Sequence, residues 1–361
     1  MIRVACVNQD RGIAPGRAKG AAVHLAAMRE AFARLGCEVL PLDEPDSDAL
    51  AKHLAAAHAQ RPIDLLYERY ALGADAAARF AGKHEIPLAI EVNAPLAEEA
   101  LRYRDHEESE AEREGDRHLF RQADLVLAVS DAVAQYAHER GAAPERTIVC
   151  RNGVDETRFH PGVRTEVGDL PGLNDDTLVI GFHGRQRPWH RFDKLLACFR
   201  MLRGRDLPLH LLVVGEGRFE GLSELPSSDV TRLGWTPHED MPVWVSRFDF
   251  LPLTHQPDSP FYFSPLKLAE AMACGVVPVV PDLGELPEQV GHGEAGLVYP
   301  AGDMDAMAER IAALIASPAQ RRALGSQAAE RALQHSWTGI ARDVLTRLLP
   351  DREEDQSCRT G

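Results

Sequence analysis

Apolar runs alternate with amphipathic stretches along the chain. The first such unit combines an apolar run at residues 2–7, a loop at 9–20 that contains glycine and proline, and a stretch whose apolar positions fall on one helical face. Gly36 then suits a helix end, and residues 38–42 return to a strand pattern. Strand and helix patterns that repeat in this order predict an α/β fold with parallel sheets and crossover helices.

Two successive sets of strand-like runs indicate two α/β domains. The stretch at 156–176 between the sets is rich in Pro, Gly and Asp and predicts a linker. We therefore expect an N-terminal domain at 1–163, a second domain at 164–336 with helices from 303 onwards, and a flexible tail at 350–361. The predicted strands lie at 2–7, 38–42, 64–67, 88–92, 125–129 and 147–150, and then at 178–184, 209–214, 230–233, 249–252, 276–280 and 295–299.

Length and composition fit this division. A chain of 361 residues suits two domains of ordinary size, and 45% hydrophobic with 26% charged residues is typical of globular proteins. No apolar run approaches the roughly 18 residues that a membrane-spanning helix needs. Met1 to Val7 resembles a strand rather than a secretory signal. We expect a cytoplasmic protein with no transmembrane segment, and peripheral contact with a membrane stays open.

Charge and cysteine spacing argue against several kinds of partner. A formal net charge of −15 disfavours nucleic-acid binding, which needs Lys and Arg to displace counterions from phosphates, although a local basic patch at Arg11, Arg17 and Lys19 stays open. The six cysteines have neither Cys-x-x-Cys nor Cys/His ligand spacing, so we expect free thiols and no metal. Asp175 and Asp176 are interpreted as a solvated pair.

The most informative stretch comprises residues 261–275. Ser264 suits a helix N-cap and Pro265 the first helical position, and Gly275 suits the helix end. The free N–H groups at such a helix start favour an anion, and Lys267 in the first turn adds a positive charge. Glu270 lies one turn later, where its carboxylate could accept two hydrogen bonds from a vicinal diol. The alternative is a capped helix with a surface Lys–Glu pair.

The sequence Ser-Pro-x-Lys-x-x-Glu-x-Met-Ala-x-Gly before an apolar strand resembles the donor-site signature of a large glycosyltransferase family, and residues 261–275 are called the donor segment from here on. This is the retaining GT-B-fold family of the "glycosyl transferases group 1", or family 4 type. The resemblance implies two facing Rossmann-like domains with a cleft between them, and a nucleoside-diphosphate sugar as donor. It also implies a diphosphate at the helix start and ribose hydroxyls on Glu270. The donor contacts that it implies here are Tyr262, Phe263, Ser264, Pro265, Leu266 and Glu270.

One position departs from the family pattern. The family usually has two glutamates separated by seven residues, and Tyr262 takes the place of the first. The contact to the sugar ring that this glutamate makes in the family needs another group here. A backbone contact or Asp258 could substitute.

A second match follows the first strand of the second domain. Gly184-Arg185 and His190 fall where the family has Gly-Arg and a lysine. A departing diphosphate needs positive charge, and arginine supplies a fixed fork of donors. The resemblance therefore implies catalytic roles for Arg185, His190 and Lys267, with Gly184 and Arg187 at the donor. An anion beside His190 would raise its pKa, and activity would then change between about pH 5 and 8. The alternative is a solvated basic loop.

Two further matches lie in the N-terminal domain, and one borders the nucleotide. Gly20, before the first helix, resembles the loop that faces the donor diphosphate. Glu91 and Asn93 follow a predicted strand, where open α/β sheets bind ligands. We expect a catalytic Glu91, an acceptor site at Asn93 and His24, and Trp235 beside the base. The alternatives are an ordinary helix start and an Asn-Ala-Pro turn.

The resemblance runs from Lys19 to Trp337 with its motifs in the family's order. It implies transfer of a sugar to a carbohydrate or small-molecule hydroxyl with retention of configuration, in polysaccharide, glycoconjugate or secondary-metabolite synthesis. The departing phosphate would help to remove the acceptor proton, and no metal or cofactor would be needed. A helix at 337–349 would pack back on the first domain. The alternatives are a nucleotide-sugar epimerase, a sugar phosphorylase, or a noncatalytic sugar-nucleotide-binding protein.

Overall fold

The computed structural model describes residues 1–10, 12, 20–168, 170, 173–174, 176–258 and 261–350. The expectations for Arg11, Arg17, Lys19 and Asp175 lie outside these residues, as do those for the tail from 351 onwards. The chain divides into two compact units. The N-terminal unit comprises 1–152, 262–264 and 337–361, and the C-terminal unit comprises 153–261 and 265–336.

Each unit contains one sheet of six parallel strands. The N-terminal sheet consists of β1 (Arg3–Asn8), β2 (Glu38–Asp43), β3 (Leu65–Arg69), β4 (Leu88–Val92), β5 (Leu125–Ala128) and β6 (Thr147–Val149). The C-terminal sheet consists of β7 (Leu178–His183), β8 (Leu209–Val214), β9 (Val230–Leu233), β10 (Phe250–Pro252), β11 (Val277–Pro281) and β12 (Leu297–Tyr299). The strand orders are β2-β1-β3-β4-β5-β6 and β12-β11-β10-β7-β8-β9.

Helices connect the strands and cover the sheets. They are α1 (Gly20–Arg34), α2 (Ser47–Gln60), α3 (Ala76–His84), α4 (Leu96–Arg104), α5 (Glu110–Gln122), α6 (Asp131–Glu139), α7 (Gly162–Val167), α8 (Phe192–Arg203), α9 (Met241–Val245), α10 (Leu266–Ala273), α11 (Leu286–Gln289), α12 (Met304–Ile315), α13 (Pro318–Leu333) and α14 (Trp337–Leu348). No helix among them is long and apolar enough to cross a bilayer, as far as the described residues go.

The longest apolar runs become strands that are buried on both faces, whereas β2, β6 and β9 at the sheet edges are partly exposed. Every residue of β1, β4 and β8 is buried, which explains why their sequences show continuous apolar runs rather than alternation. The polar residues that do occur in the N-terminal sheet are in register. Asn8 lies opposite Arg69, and Arg69 lies opposite Glu91. These three residues stand at or near the carboxyl ends of neighbouring strands, where open α/β sheets bind their ligands.

The stretch at 156–176, expected to be a linker, contains folded structure. The C-terminal unit starts at Gly153, earlier than the boundary expected near residue 164. Helix α7 lies within the stretch, and Phe159 and Leu170 are buried in the core of the C-terminal unit. Among the described residues of this stretch, Pro161 stands at the N-cap of α7 and Gly168 at its C-cap. At the other end of the chain, α14 belongs to the N-terminal unit, where Trp337 contacts His24 of α1.

Candidate functional site

The start of α10 lacks the side-chain cap that the sequence predicts. Ser264 is not the N-cap, because its hydroxyl instead accepts a hydrogen bond from the backbone N–H of Asn152 at 2.9 Å. Pro265 occupies the N-cap position with an extended backbone, and no side chain among the described residues caps the helix. The helix begins at Leu266. Its first N–H groups therefore have no side-chain acceptor and suit an anion.

Lys267 lies in this first turn with its ammonium among aromatic rings. The Nζ atom is 3.3 Å from Nε2 of His190 and 4.6 Å from the centre of the Phe182 ring. Burial lowers the pKa of Lys267 to about 7, although the charge of Glu270 acts in the opposite direction. Near neutral pH the lysine is therefore poised between its neutral and charged forms. A bound anion would favour the charged form.

The two ring nitrogens of His190 face different partners. Its Nδ1 atom accepts a hydrogen bond from the backbone N–H of Arg187 at 3.2 Å, which leaves the ring proton of a neutral imidazole on Nε2, facing the lysine. Burial, followed by the charges of Lys267 and His255, places the pKa of His190 well below its ordinary value. The raised pKa that the sequence predicts depends on an anion at this position.

Glu270 is the second charged group of α10 and is 6% exposed. Its Oε1 atom accepts a hydrogen bond from Nε2 of His238 at 2.6 Å, and its Oε2 atom is 3.8 Å from Nδ1 of His183. Burial alone would raise the pKa of Glu270. The hydrogen bond and the charges of His238, His183 and Arg158 outweigh burial, so the pKa lies below its ordinary value. Glu270 is therefore held as a carboxylate, which accepts hydrogen bonds only.

Three histidines of this cluster were missed by the sequence analysis. His183 ends β7, and burial lowers its pKa to about 4. His255 follows β10, and its buried Nδ1 atom has no hydrogen-bond partner among the described residues. His238 follows β9. The shared signal is that each histidine ends or follows a strand of one parallel sheet, and the carboxyl ends of such strands are where open α/β sheets bind ligands.

The loop after β7 approaches the loop after β8 closely. A Cβ atom at Gly215 would lie 2.3 Å from the carbonyl oxygen of Gly184, so only glycine fits at 215. Gly184 has a positive φ of 92°, and its N–H donates to the carbonyl of Val214 at 2.9 Å. Arg185 follows and is exposed, while Arg187 is half-buried. Trp235, after β9, is 58% exposed.

A buried ionic network surrounds Glu91 in the N-terminal unit. The side chain is 2% exposed. Four donors reach its carboxylate: Tyr67 Oη at 2.6 Å, Arg69 Nη1 at 2.5 Å, His24 Nε2 at 3.0 Å, and Asn93 Nδ2. Burial would raise the pKa of Glu91, but the charges of His24 and Arg69 outweigh it and lower the pKa to about 2. This geometry suits an anchor better than a proton acceptor.

His24 and Asn93, the expected acceptor contacts, are held by this network. His24 Nδ1 lies 3.1 Å from Oδ1 of Asn93, while Nε2 faces Glu91. Both ring nitrogens therefore face side-chain oxygens of the network. The ring centre is 4.4 Å from that of Trp337. Gly20 starts α1, the helix that carries His24.

Tyr262 anchors the donor segment within the N-terminal unit. Its hydroxyl donates to Oε1 of Glu99 at 2.5 Å, and its carbonyl accepts a hydrogen bond from Ser130 Oγ at 3.0 Å. The side chain is buried in the N-terminal core, and the half-buried Phe263 packs against the same core. Tyr262 therefore has a structural role here, and Asp258 is not among its described contacts.

Two family models match most of the chain. Residues 2–153 match "Glycosyl transferase 4-like domain", and residues 177–317 match "Glycosyl transferases group 1". Among curated proteins, the D-inositol 3-phosphate glycosyltransferase of Rhodococcus erythropolis is 30% identical over 255 residues, which cover 67% of this chain and 57% of that protein. This chain spans little more than half the length of that relative.

Solved structures of similar fold cover nearly the whole chain. Sucrose-phosphate synthase from Thermosynechococcus elongatus has a TM-score of 0.69 at 19% identity and covers 100% of both chains. Anabaena HepE, solved in complex with UDP and glucose, has a TM-score of 0.66 at 21% identity and covers 96% of this chain and 99% of its own. This chain belongs to the group 1 glycosyltransferases, and its two Rossmann-like units have the GT-B fold.

Proposed function

We propose that this chain is a retaining hexosyltransferase that moves a sugar from a nucleoside-diphosphate sugar to an acceptor hydroxyl. The observation that carries the proposal is the pairing of Lys267 with Glu270, one turn apart on α10, beside an uncapped helix start. A nucleoside diphosphate presents the two groups that this pair suits, an anion and a vicinal diol. Glu270 accepts hydrogen bonds from hydroxyls, while Lys267 and the first N–H groups attract phosphate.

The reaction places negative charge on the departing diphosphate as the anomeric C–O bond breaks. Lys267, Arg185 and the helix start supply positive charge there, and His190 lies beside the lysine. An anion next to Lys267 raises its pKa, so donor binding restores the charge that burial removes. These groups do the work that a metal ion does in other transferases. We therefore propose that the reaction needs neither a metal nor a cofactor besides the donor.

Retention follows if the acceptor attacks on the face from which the phosphate leaves. The acceptor oxygen then forms the new bond to the anomeric carbon, and a phosphate oxygen accepts its proton. In this scheme Glu91 is not the base, because four donors already occupy its carboxylate. Its role is to hold His24 and Asn93, which we assign to the acceptor. The name of the D-inositol 3-phosphate glycosyltransferases supports a polyhydroxylated acceptor.

The proposal also covers the base of the donor and the biological setting of the reaction. The UDP bound to HepE supports testing uridine donors first. The exposed indole of Trp235 offers a face on which a base can stack. Such a reaction fits carbohydrate biosynthesis in the cytoplasm. Its product would belong to a bacterial polysaccharide, a glycoconjugate or a secondary metabolite.

Donor turnover tests the proposal directly. The chain is incubated with UDP-, GDP- and ADP-sugars, and release of the nucleoside diphosphate is followed with and without a panel of polyol and sugar acceptors. We expect release with at least one donor, at least 100-fold slower in Glu270→Ala, because loss of hydrogen bonds to a charged group weakens both binding and alignment. NMR of the product should show the anomeric configuration of the donor.

Glu330→Ala is the matched control, because Glu330 is an exposed glutamate of α13 in the same unit. It should turn over at the wild-type rate. Failure of the wild type to bind or consume any donor would overturn the transferase proposal. Binding without release would favour a noncatalytic sugar-nucleotide-binding protein, and an isomerised donor would favour an epimerase.

A further inference from the structure

The ribose-binding carboxylate proposed above has one fixed oxygen and one open oxygen. Glu270 Oε1 accepts a hydrogen bond from His238 at 2.6 Å. Its Oε2 atom is 3.8 Å from His183, which is too long for a hydrogen bond. A carboxylate oxygen has two acceptor positions, so, counting donors from the described residues, the bond from His238 leaves one position on Oε1 and both on Oε2. Two neighbouring hydroxyls require an acceptor with that remaining capacity.

His238 is itself held in place by residues from the start of the C-terminal unit. Its carbonyl accepts a hydrogen bond from Nη2 of Arg158 at 2.7 Å, and its ring centre is 5.6 Å from the Phe159 ring, which is buried in the core. A short 3₁₀ helix, His238–Asp240, leads directly into α9. The imidazole is therefore tied at its backbone and at its ring face.

The exposure of His238 places it at the edge of the site. Its side chain is 30% exposed, against 8% for that of Glu270. The same segment carries the exposed Trp235, three residues earlier. The imidazole is therefore more exposed than the carboxylate to which it is hydrogen-bonded. A hydrogen-bond donor at this point fixes the rotation of the carboxylate plane before a ligand arrives, which lowers the ordering cost of binding.

We propose that His238 is a positioning residue that orients the Glu270 carboxylate toward two vicinal ribose hydroxyls. It thereby sets the preference of the site for ribonucleotides over deoxyribonucleotides. This inference rests on the proposed function and deepens it. The ribose is common to uridine, guanosine and adenosine donors, so the inference holds for any of these bases.

Calorimetric binding of UDP and 2′-deoxyUDP to the intact chain tests the inference. We expect wild type to bind UDP about 10- to 100-fold more tightly than 2′-deoxyUDP, the effect of a hydrogen bond to a charged group. In His238→Ala this ratio should fall to about threefold or less, mainly through weaker UDP binding. His238→Gln, whose amide can donate from nearly the same position as Nε2, should recover part of the ratio.

The control is Glu239→Ala, an exposed neighbour on the same 3₁₀ helix, which should keep the wild-type ratio. Thermal unfolding identifies any variant that does not fold, and the glutamine variant then carries the test. If UDP does not bind, the pairs GDP with 2′-deoxyGDP and ADP with 2′-deoxyADP replace it.

The outcomes separate this inference from the proposed function. If wild type binds none of the three ribonucleotides, the proposed function fails. If wild type prefers the ribonucleotide and His238→Ala keeps the full preference, the inference is wrong while the function stands. Equal weakening of both nucleotides in His238→Ala would also overturn the inference, because it would show only a structural role.

Discussion

Glu270 in the C-terminal unit and Glu91 in the N-terminal unit are both buried carboxylates near the carboxyl end of a parallel strand, yet their surroundings differ. Within the part of the chain that the structure describes, Glu91 accepts from four donors and Glu270 accepts from one. A carboxylate whose acceptor positions are filled stabilises the fold and orients its neighbours. A carboxylate with open acceptor positions can take a ligand. The number of donors, more than burial, distinguishes an anchor from a binding group.

A third buried glutamate, Glu68, extends this comparison of hydrogen-bond donors to the opposite extreme. Glu68 on β3 is fully buried, and neither of its oxygens has a hydrogen-bond partner among the described residues. Burial, with a smaller contribution from the charge of Asp75, raises its pKa to about 8. Glu68 is therefore a neutral acid near pH 7, whereas Glu91 is ionised.

The largest expected effect concerns the anchor. Glu91→Gln should lower the free energy of unfolding by about 3 to 5 kcal/mol, because it leaves the buried Arg69 guanidinium without its counter-charge. Urea denaturation measures this change. The exposed Glu330→Gln should change stability by no more than about 0.5 kcal/mol. A loss at Glu91 as small as that of the control would contradict the anchor role.

The next effect concerns the lysine that accompanies Glu270. Lys267→Met keeps the length of the side chain and removes its charge, so kcat should fall about 10²- to 10³-fold as the departing diphosphate loses a stabilising partner. Steady-state kinetics with the best donor measures it. Lys194→Met on α8 is the matched control, with wild-type kcat expected. An unchanged kcat in Lys267→Met would remove Lys267 from the reaction.

The pH dependence of stability tests the raised pKa of Glu68. The pKa of Glu68 is higher in the folded chain than its ordinary value, so its contribution to stability is fully present below about pH 4.5 and is lost as the pH rises through about 8. Glu68→Gln does not titrate. Relative to this variant, wild type should lose about 3 kcal/mol between pH 5 and pH 8. Thermal unfolding of both proteins at several pH values measures the gap, and parallel curves would contradict the raised pKa.

The smallest expected effect tests how much a single donor to Glu91 contributes to stability. Tyr67→Phe removes one of the four donors to Glu91 and leaves the other three, so we expect a loss of about 1 kcal/mol in the free energy of unfolding. Urea denaturation of this variant beside Glu91→Gln shows whether the network tolerates the loss of a single donor. A loss as large as that of Glu91→Gln would mean that the donors do not substitute for one another.

Local sequence pattern predicts much of the fold and the helix that carries the centre of the candidate site. The strands differ from their predicted bounds by only a few residues, because strands buried on both faces require continuous apolar runs. The spacing of Lys267, Glu270 and Gly275 predicts a helix with its charges one turn apart, and α10 has this form. These features depend on neighbours along the chain, so the sequence contains their signal.

The features that sequence reasoning missed depend on distant partners. Ser264 does not cap α10, because its hydroxyl accepts a hydrogen bond from the backbone N–H of Asn152, which is 112 residues away. His238 reaches Glu270 across 32 residues, and Tyr67 reaches Glu91 only because β3 and β4 pair in register. Such pairings are set by the order and register of strands, which periodicity along a single strand does not reveal.

The burial of the cysteines has a practical consequence for labelling the protein. Burial raises the pKa of Cys6, Cys198 and Cys274 to about 12, and thiol-reactive probes attack the thiolate. Native thiols of this kind react slowly with maleimides at neutral pH. Once Cys358 is replaced by serine, a single cysteine engineered at the exposed Glu239 would carry a fluorophore selectively without removing a proposed ligand contact. The buried native cysteines would thus add little background labelling when nucleotide binding is followed by fluorescence.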